Sequence, residues 1–210
     1  AAQNRGMEET AQMVETYIKQ VGGQAKRIET AGYPVVYGQF DGQKSKTLSF
    51  YNHYDVQPED PVELWESPPF EPDIRDGKLF ARGTADNKGN LIARLAAVDA
   101  FLNVKGELPL NLKFIVEGEE EIGSPSLAGF VEKHQDLLEA DGCIWEFGSK
   151  DTEGHLQISN GVKGMCYVEL TCHGANTDLH SSNAAIVENP AWRLIWALST
   201  IKSQDEKVNI

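Results

Sequence analysis

One imidazole and a set of carboxylates recur where apolar runs of this chain end. KTLSFYN runs into His53-Tyr54-Asp55, LNLKFIV into Glu117-Gly118-Glu119-Glu120-Glu121, and DGCIW into Glu146. A fourth cluster, Arg82-Gly83-Thr84-Ala85-Asp86-Asn87-Lys88-Gly89, stands between the strand-like KLFAR and a helical pattern. Several carboxylates share a crevice at neutral pH only when cations or protons neutralise them. An imidazole with Asp and Glu oxygens is ligand chemistry for zinc, manganese or cobalt in a hydrolase. In His53-x-Asp55 the two side chains point the same way on an extended strand, so Asp55 could accept the second ring N–H of a metal-bound His53. Adjacent Glu120 and Glu121 point to different sides, so one could bind metal while the other handles a proton. Two metals roughly 3.5–4 Å apart need a bridging carboxylate and bring a bound water to a pKa near 7.

Each feature alone has a plainer explanation. His-x-Asp can be structural, Glu119 to Glu121 a solvated loop, Asp86 a helix N-cap, and Glu146 an ordinary loop acid. Their shared position raises the metal reading. All four clusters fall at strand ends or at a strand-to-helix turn of one sheet, and the carboxyl ends of parallel strands are where open α/β sheets bind ligands. The glycine-rich run lacks the G-x-x-x-x-G-K-[ST] pattern of a phosphate loop. There is no H-E-x-x-H, no G-x-S-x-G and no Cys pair at zinc spacing.

The elements that must position these residues are readable from periodicity. Residues 7–21 place Ala11, Val14, Ile18 and Val21 on one helical face, and Gly22-Gly23 stops the helix. AKRIE, PVVYGQF and KTLSFYN read as strands, with Asp41-Gly42 as a hairpin turn between the last two. A second helix runs from about Lys88 to Val104 on Leu91, Leu95, Val98 and Leu102. LNLKFIVEG is a strand, residues 125–138 a third helix, and DGCIWEF a further strand. This alternation predicts an α/β domain with a mostly parallel central sheet flanked by helices. From Lys163 to Gly174 a long alternating strand is expected, then a helix over residues 190–202. That change of pattern divides the chain into a catalytic part, 1–162, and the start of a smaller α+β lid or dimerisation domain, 163–210.

Composition narrows the function classes. The 210 residues carry 19 Lys+Arg against 32 Asp+Glu, a formal net charge of −13, with 40 % hydrophobic residues. That hydrophobic content is ample for a folded core. The acidic balance argues against nucleic acid or an anionic membrane as partner. No run approaches the roughly 20 apolar residues of a membrane span, and AAQNRGMEET lacks the basic and apolar regions of a signal peptide. Three widely spaced cysteines, Cys143, Cys166 and Cys172, fit a reducing compartment, so a cytoplasmic protein is expected.

Together, YNHYDVQP, W-x-S-P-P-F, DGKLFARGTADNKG, EGEEEIGS and DLHSS resemble the dimetal dipeptidases and deacylases, on the branch of carnosinase and cytosolic nonspecific dipeptidase. The motifs stand in family order over about residues 5–200. The resemblance implies a zinc-aminopeptidase-like catalytic domain holding two divalent ions, zinc first, with manganese or cobalt as alternatives. It implies that His53 ligates one metal, that Asp55 orients it, and that Asp86 bridges both ions. Glu120 is then the general base, Glu121 a ligand of the second metal, and Glu146 a ligand of the first, although its flanking residues match the family poorly. A cis peptide bond is implied at Asp86–Asn87. His180 matches a lid histidine that, in dimeric relatives, reaches the neighbouring subunit's site and stabilises the oxyanion. The implied substrate is a dipeptide or short peptide in a homodimer formed through the lid. An N-acyl amino acid substrate, or a non-catalytic metal-binding relative, are the alternatives. Relatives are longer, so the resemblance also implies an N-terminal piece, with a second-metal histidine and the substrate-carboxylate contacts outside this chain.

Overall fold

A computed structural model describes residues 5–146 and 148–209. It divides into two units, residues 1–158 and 159–210. The first unit opens with helix α1 (Met7–Gln20), whose buried face is Met7, Ala11, Val14 and Ile18, the spacing of an amphipathic helix. Glu8 and Glu9 in its first turn and Lys19 in its last complement the helix dipole. The helix stops where Gly22 takes φ 98°, a conformation that costs glycine nothing. Strands β1 (Gln24–Ile28), β2 (Val35–Phe40) and β3 (Thr47–His53) follow. A small hairpin, β4 (Asp73–Arg75) and β5 (Lys78–Phe80), turns through Asp76 and Gly77, both at positive φ, the turn that suits an Asp-Gly pair. Helix α2 (Gly89–Lys105) then crosses to β6 (Asn111–Glu117). Helices α3 (Leu127–Lys133) and α4 (Gln135–Leu138) lead to β7 (Gly142–Trp145), and β8 (Ser149–Lys150) pairs with β9 (Leu156–Gln157).

The main sheet has the order β1-β2-β6-β3-β7. It is mixed. β6, β3 and β7 run parallel, while β1 and β2 add an antiparallel flank. Side chains alternate across it as a pleated strand requires. Val36, Phe40, Leu112, Phe114 and Val116 join the buried faces of α1 and α2 in one core. Val35, Tyr37, Tyr51, Ile115 and Phe130 form a second core with α3. His53, Glu117 and Trp145 end the three parallel strands, so the residues that follow them emerge at the same end of the sheet.

Three expectations are corrected. Asp41-Gly42 is not a hairpin turn, because β6 lies between β2 and β3. Gly42 instead passes close to the start of β6, donating its N–H to Asn111 Oδ1 at 2.8 Å. A Cβ there would lie 2.2 Å from the Leu110 carbonyl oxygen. A local turn signal carries no information about a strand inserted from far along the chain. The third helix is two, broken at His134, where φ is −130°. Residues 163–174 form no paired strand among the described residues; alternation becomes a strand only against a partner ladder. Phe147, read as the end of a strand, lies outside the described residues. The second unit contributes helix α5 (Pro190–Ile201), with Pro at its start and Asn189 Oδ1 accepting the Ala191 N–H at 2.9 Å. No described helix is long and apolar enough to cross a membrane.

Candidate metal centre

His53 closes β3 with its ring fully buried. Its Nε2 lies 2.9 Å from Asp86 Oδ1 and 3.9 Å from Glu120 Oε2. Its Nδ1 faces Asp55 twice, 3.2 Å from the backbone carbonyl and 3.3 Å from Oδ1. The carbonyl is the better-aligned acceptor, and Asp55 Oδ1 is left buried without a hydrogen bond. The other carboxylate oxygen of Asp55 accepts the Glu121 N–H at 3.0 Å. Asp55 therefore ties the loop after β3 to the acidic loop after β6.

The loop entering α2 presents Asp86, whose φ −127° and ψ 99° depart from helical values. The Asp86–Asn87 peptide is cis, as the resemblance implied. Asn87 is fully buried and its Oδ1 accepts from Asn52 Nδ2. On the acidic loop, Glu121 Oε2 accepts from Gln57 Nε2 at 2.7 Å. Glu146 follows β7 with φ 48°, its N–H held by the Tyr51 carbonyl at 3.0 Å. Two donor groups result. The potential ligand atoms of His53, Asp86 and Glu121, and those of His53, Glu120 and Glu146, lie within 4.8 Å of one another in each group.

The electrostatics match this crowding. Burial works against a charged His53, but Asp55, Asp86 and Glu120 outweigh it and raise the imidazole to about 9. Glu120 and Glu146 are pushed up, first by burial and then by neighbouring carboxylates, with His53 opposing. Lys88 is pulled down by burial against the attraction of Asp55 and Glu121, and its Nζ donates to the Tyr54 carbonyl at 3.2 Å. Without a metal, an imidazolium supplies the positive charge these acids require. A divalent cation bound by the same oxygens and a neutral imidazole would supply more. The donor set and the orphaned Asp55 oxygen fit such an ion.

The structure thus brings together His53, Asp55, Asp86, Glu120, Glu121 and Glu146. His180 belongs to the second unit, where its Nδ1 accepts the Ser182 N–H at 3.2 Å. Sequence reasoning gave no role to Asn52, Gln57, Asn87, Lys88 and Arg94, polar groups whose use depends on partners distant in the chain. It named Glu117 only as part of the acidic run; the residue is buried and accepts from the Tyr51 hydroxyl and, at 2.7 Å, from the Ser124 hydroxyl. A separate cavity of about 1000 Å³ shares Asp55, Gln57 and Lys88 with this region. Met7, Met13, Phe70 and Ile92 also line it, together with Arg5, Glu59 and Arg82, and none of the five donor residues does.

Comparison with known proteins finds relatives among metallopeptidases. Residues 49–206 match the sequence model of peptidase family M20/M25/M40. The chain is 33% identical over 183 residues to the Cys-Gly metallodipeptidase dug1 of Schizosaccharomyces pombe, covering 84% of this chain and 38% of that protein. It is 35% identical over 174 residues to the Beta-Ala-His dipeptidase of Homo sapiens, covering 80% and 34%. Among solved structures, the M20 family metallo-carboxypeptidase Sso-CP2 from Sulfolobus solfataricus superposes with a TM-score of 0.88 at 39% identity, over 99% of this chain and 48% of that one. The chain spans between about a third and a half of the length of these relatives.

Proposed function

The chain belongs to peptidase family M20/M25/M40, and from that premise we propose that it forms part of a metal-dependent hydrolase cleaving the amide bond of dipeptides or short peptides. The observation that supports this reading is the gathering of Asp86, Glu120, Glu121 and Glu146 around His53 at the common end of β3, β6 and β7. His53, Asp86 and Glu146 would hold one ion, and Asp86 and Glu121 a second. When bound, such divalent ions (zinc first, manganese or cobalt by the same donors) lower the pKa of a water towards about 7 and polarise the scissile carbonyl. Asp55 engages Nδ1 of His53 and so turns Nε2 toward the carboxylates. Glu120, whose carboxyl is raised by burial, takes a proton from the attacking water and returns it to the leaving nitrogen. His180, from a second copy in a homodimer formed through the second unit, would donate to the oxyanion. The three free cysteines support a cytoplasmic setting.

The test is an assay of the complete protein on free dipeptides and matched N-acetyl amino acids, with chelator and then with zinc or manganese restored. Dipeptide cleavage that chelator abolishes and metal restores is the expected result. Cleavage confined to the N-acetyl substrates would move the assignment to deacylation. Bound metal without any hydrolysis would indicate a non-catalytic relative.

A further inference from the structure

Arg94, on α2, directs both terminal nitrogens of its guanidinium to residues of the site. Its Nη1 donates to the Tyr51 carbonyl at 3.2 Å and to Asn52 Oδ1 at 2.6 Å, and its Nη2 donates to the Glu146 carbonyl. The guanidinium lies over the Phe50 ring, 5.3 Å from its centroid. Three elements meet on this one side chain.

The first arm reaches Glu146. That residue sits at φ 48°, a region costly for a side chain with a Cβ and kept only where its surroundings enforce it. Its N–H is held by the Tyr51 carbonyl and its own carbonyl by Arg94. The Tyr51 carbonyl accepts from both Glu146 and Arg94, so the peptide groups on either side of the Glu146 Cα are anchored together. The carboxylate is thereby aimed toward His53 and Glu120. The second arm passes through Asn52. This fully buried amide accepts from Arg94 with its oxygen and donates with its nitrogen to Asn87, the residue bonded to Asp86.

We propose that Arg94 is a positioning residue of the metal centre: one guanidinium fixes the backbone that presents Glu146 and, through Asn52, the loop that presents Asp86. This rests on the reading of those two acids as metal donors. Only a planar, forked cation serves three acceptors, two on β3 and one after β7, at once, since an ammonium is a compact point charge on a flexible stem. With its hydrogen bonds directed to two carbonyls and an amide, Arg94 acts through Glu146 and Asp86 rather than on substrate.

The test uses the complete protein, stripped of metal and titrated with cobalt, reading affinity by chelator competition and coordination by the visible spectrum. Arg94→Met retains a long apolar stem over Phe50 and removes the fork. Its metal affinity is expected to fall on the order of 10–100-fold, the usual cost of losing a ligand-orienting partner, with an altered cobalt spectrum. Arg94→Lys keeps the charge and is the variant read should Arg94→Met fail to fold; its affinity is expected to fall between wild type and Arg94→Met. Asn52→Ala cuts the Asp86 arm alone and is expected to perturb binding less than Arg94→Met. Wild-type affinity and spectrum in both Arg94 variants would overturn the proposal, as would a lower metal-free melting temperature with unchanged affinity. His53→Ala separates the two readings. If it binds cobalt like wild type, the metal centre itself is misassigned; if binding is lost there but intact in the Arg94 variants, Arg94 alone is.

Discussion

Glu120 stands 3.9 Å from His53 Nε2 and shares its loop with Glu121, so the proposed proton acceptor and the proposed metal donor sit side by side. Glu120→Gln keeps the volume and removes the proton site. Turnover is expected to fall on the order of 10²–10⁴-fold, while metal content by elemental analysis stays at the wild-type level. Near-normal turnover would remove the assigned role. Glu117 gives a pH prediction. Burial, opposed by hydrogen bonds from Tyr51 and Ser124, leaves its carboxyl above the ordinary value of 4.5. The folded state then keeps the proton longer than the unfolded state, so this residue's contribution to stability is greatest below pH 4.5 and is lost as pH rises through the folded value. Glu117→Gln retains an oxygen for both hydroxyls and cannot ionise. Its melting temperature relative to wild type is expected to rise from pH 4.5 to pH 8; a constant difference would contradict this. At this scale the acids and His53 were legible because their types are rare at strand ends. Arg94, Asn52 and Asn87 were not, because an amide or guanidinium reveals its partner only once folding has chosen it.

Helices were the most legible elements, since a stripe such as Leu91, Leu95 and Val98 needs no knowledge of the partner surface. That stripe is buried in the larger core. Leu95→Ala is expected to cost about 2–5 kcal/mol in denaturant unfolding; a cost under about 1 kcal/mol would mean that the sheet face collapses around the gap. Strand order was not legible. PVVYGQF and KTLSFYN are consecutive and flank an Asp-Gly, yet LNLKFIV lies between them, because its buried side chains fill both sheet faces at once. The acidic loop depends on a close approach that the sequence shows only as a glycine. A Cβ at Gly118 would lie 2.4 Å from the Tyr54 ring, which is buried and hydrogen-bonded to the Pro34 carbonyl at 2.8 Å. Gly118→Ala is therefore expected to displace the loop, lowering both melting temperature and cobalt affinity. Wild-type cobalt binding in that variant would show that the loop tolerates the shift.

For the whole molecule, a formal net charge of −13 adds general repulsion to the local crowding of acids, so bound cations act on stability as well as on chemistry. A metal held by the folded state alone stabilises it by about 2.7 kcal/mol at one hundred times its dissociation constant. Melting temperature is expected to rise with added zinc, to fall with chelator, and to lose that response in His53→Ala. A response of equal size in that variant would place the stabilising ion elsewhere. The topology adds an order of events. The β1–β2 pair joins neighbours in the chain, whereas the parallel ladder that brings His53 level with Glu117 joins residues 47–53 to residues 111–117. Closing so long an excursion loses entropy before any contact repays it. Until it closes, His53 is apart from the loop bearing Glu120 and Glu121, and the cluster of imidazole and acids is incomplete. Full metal loading is thus expected late in the life of each chain, a seal on a finished fold rather than a template for making one.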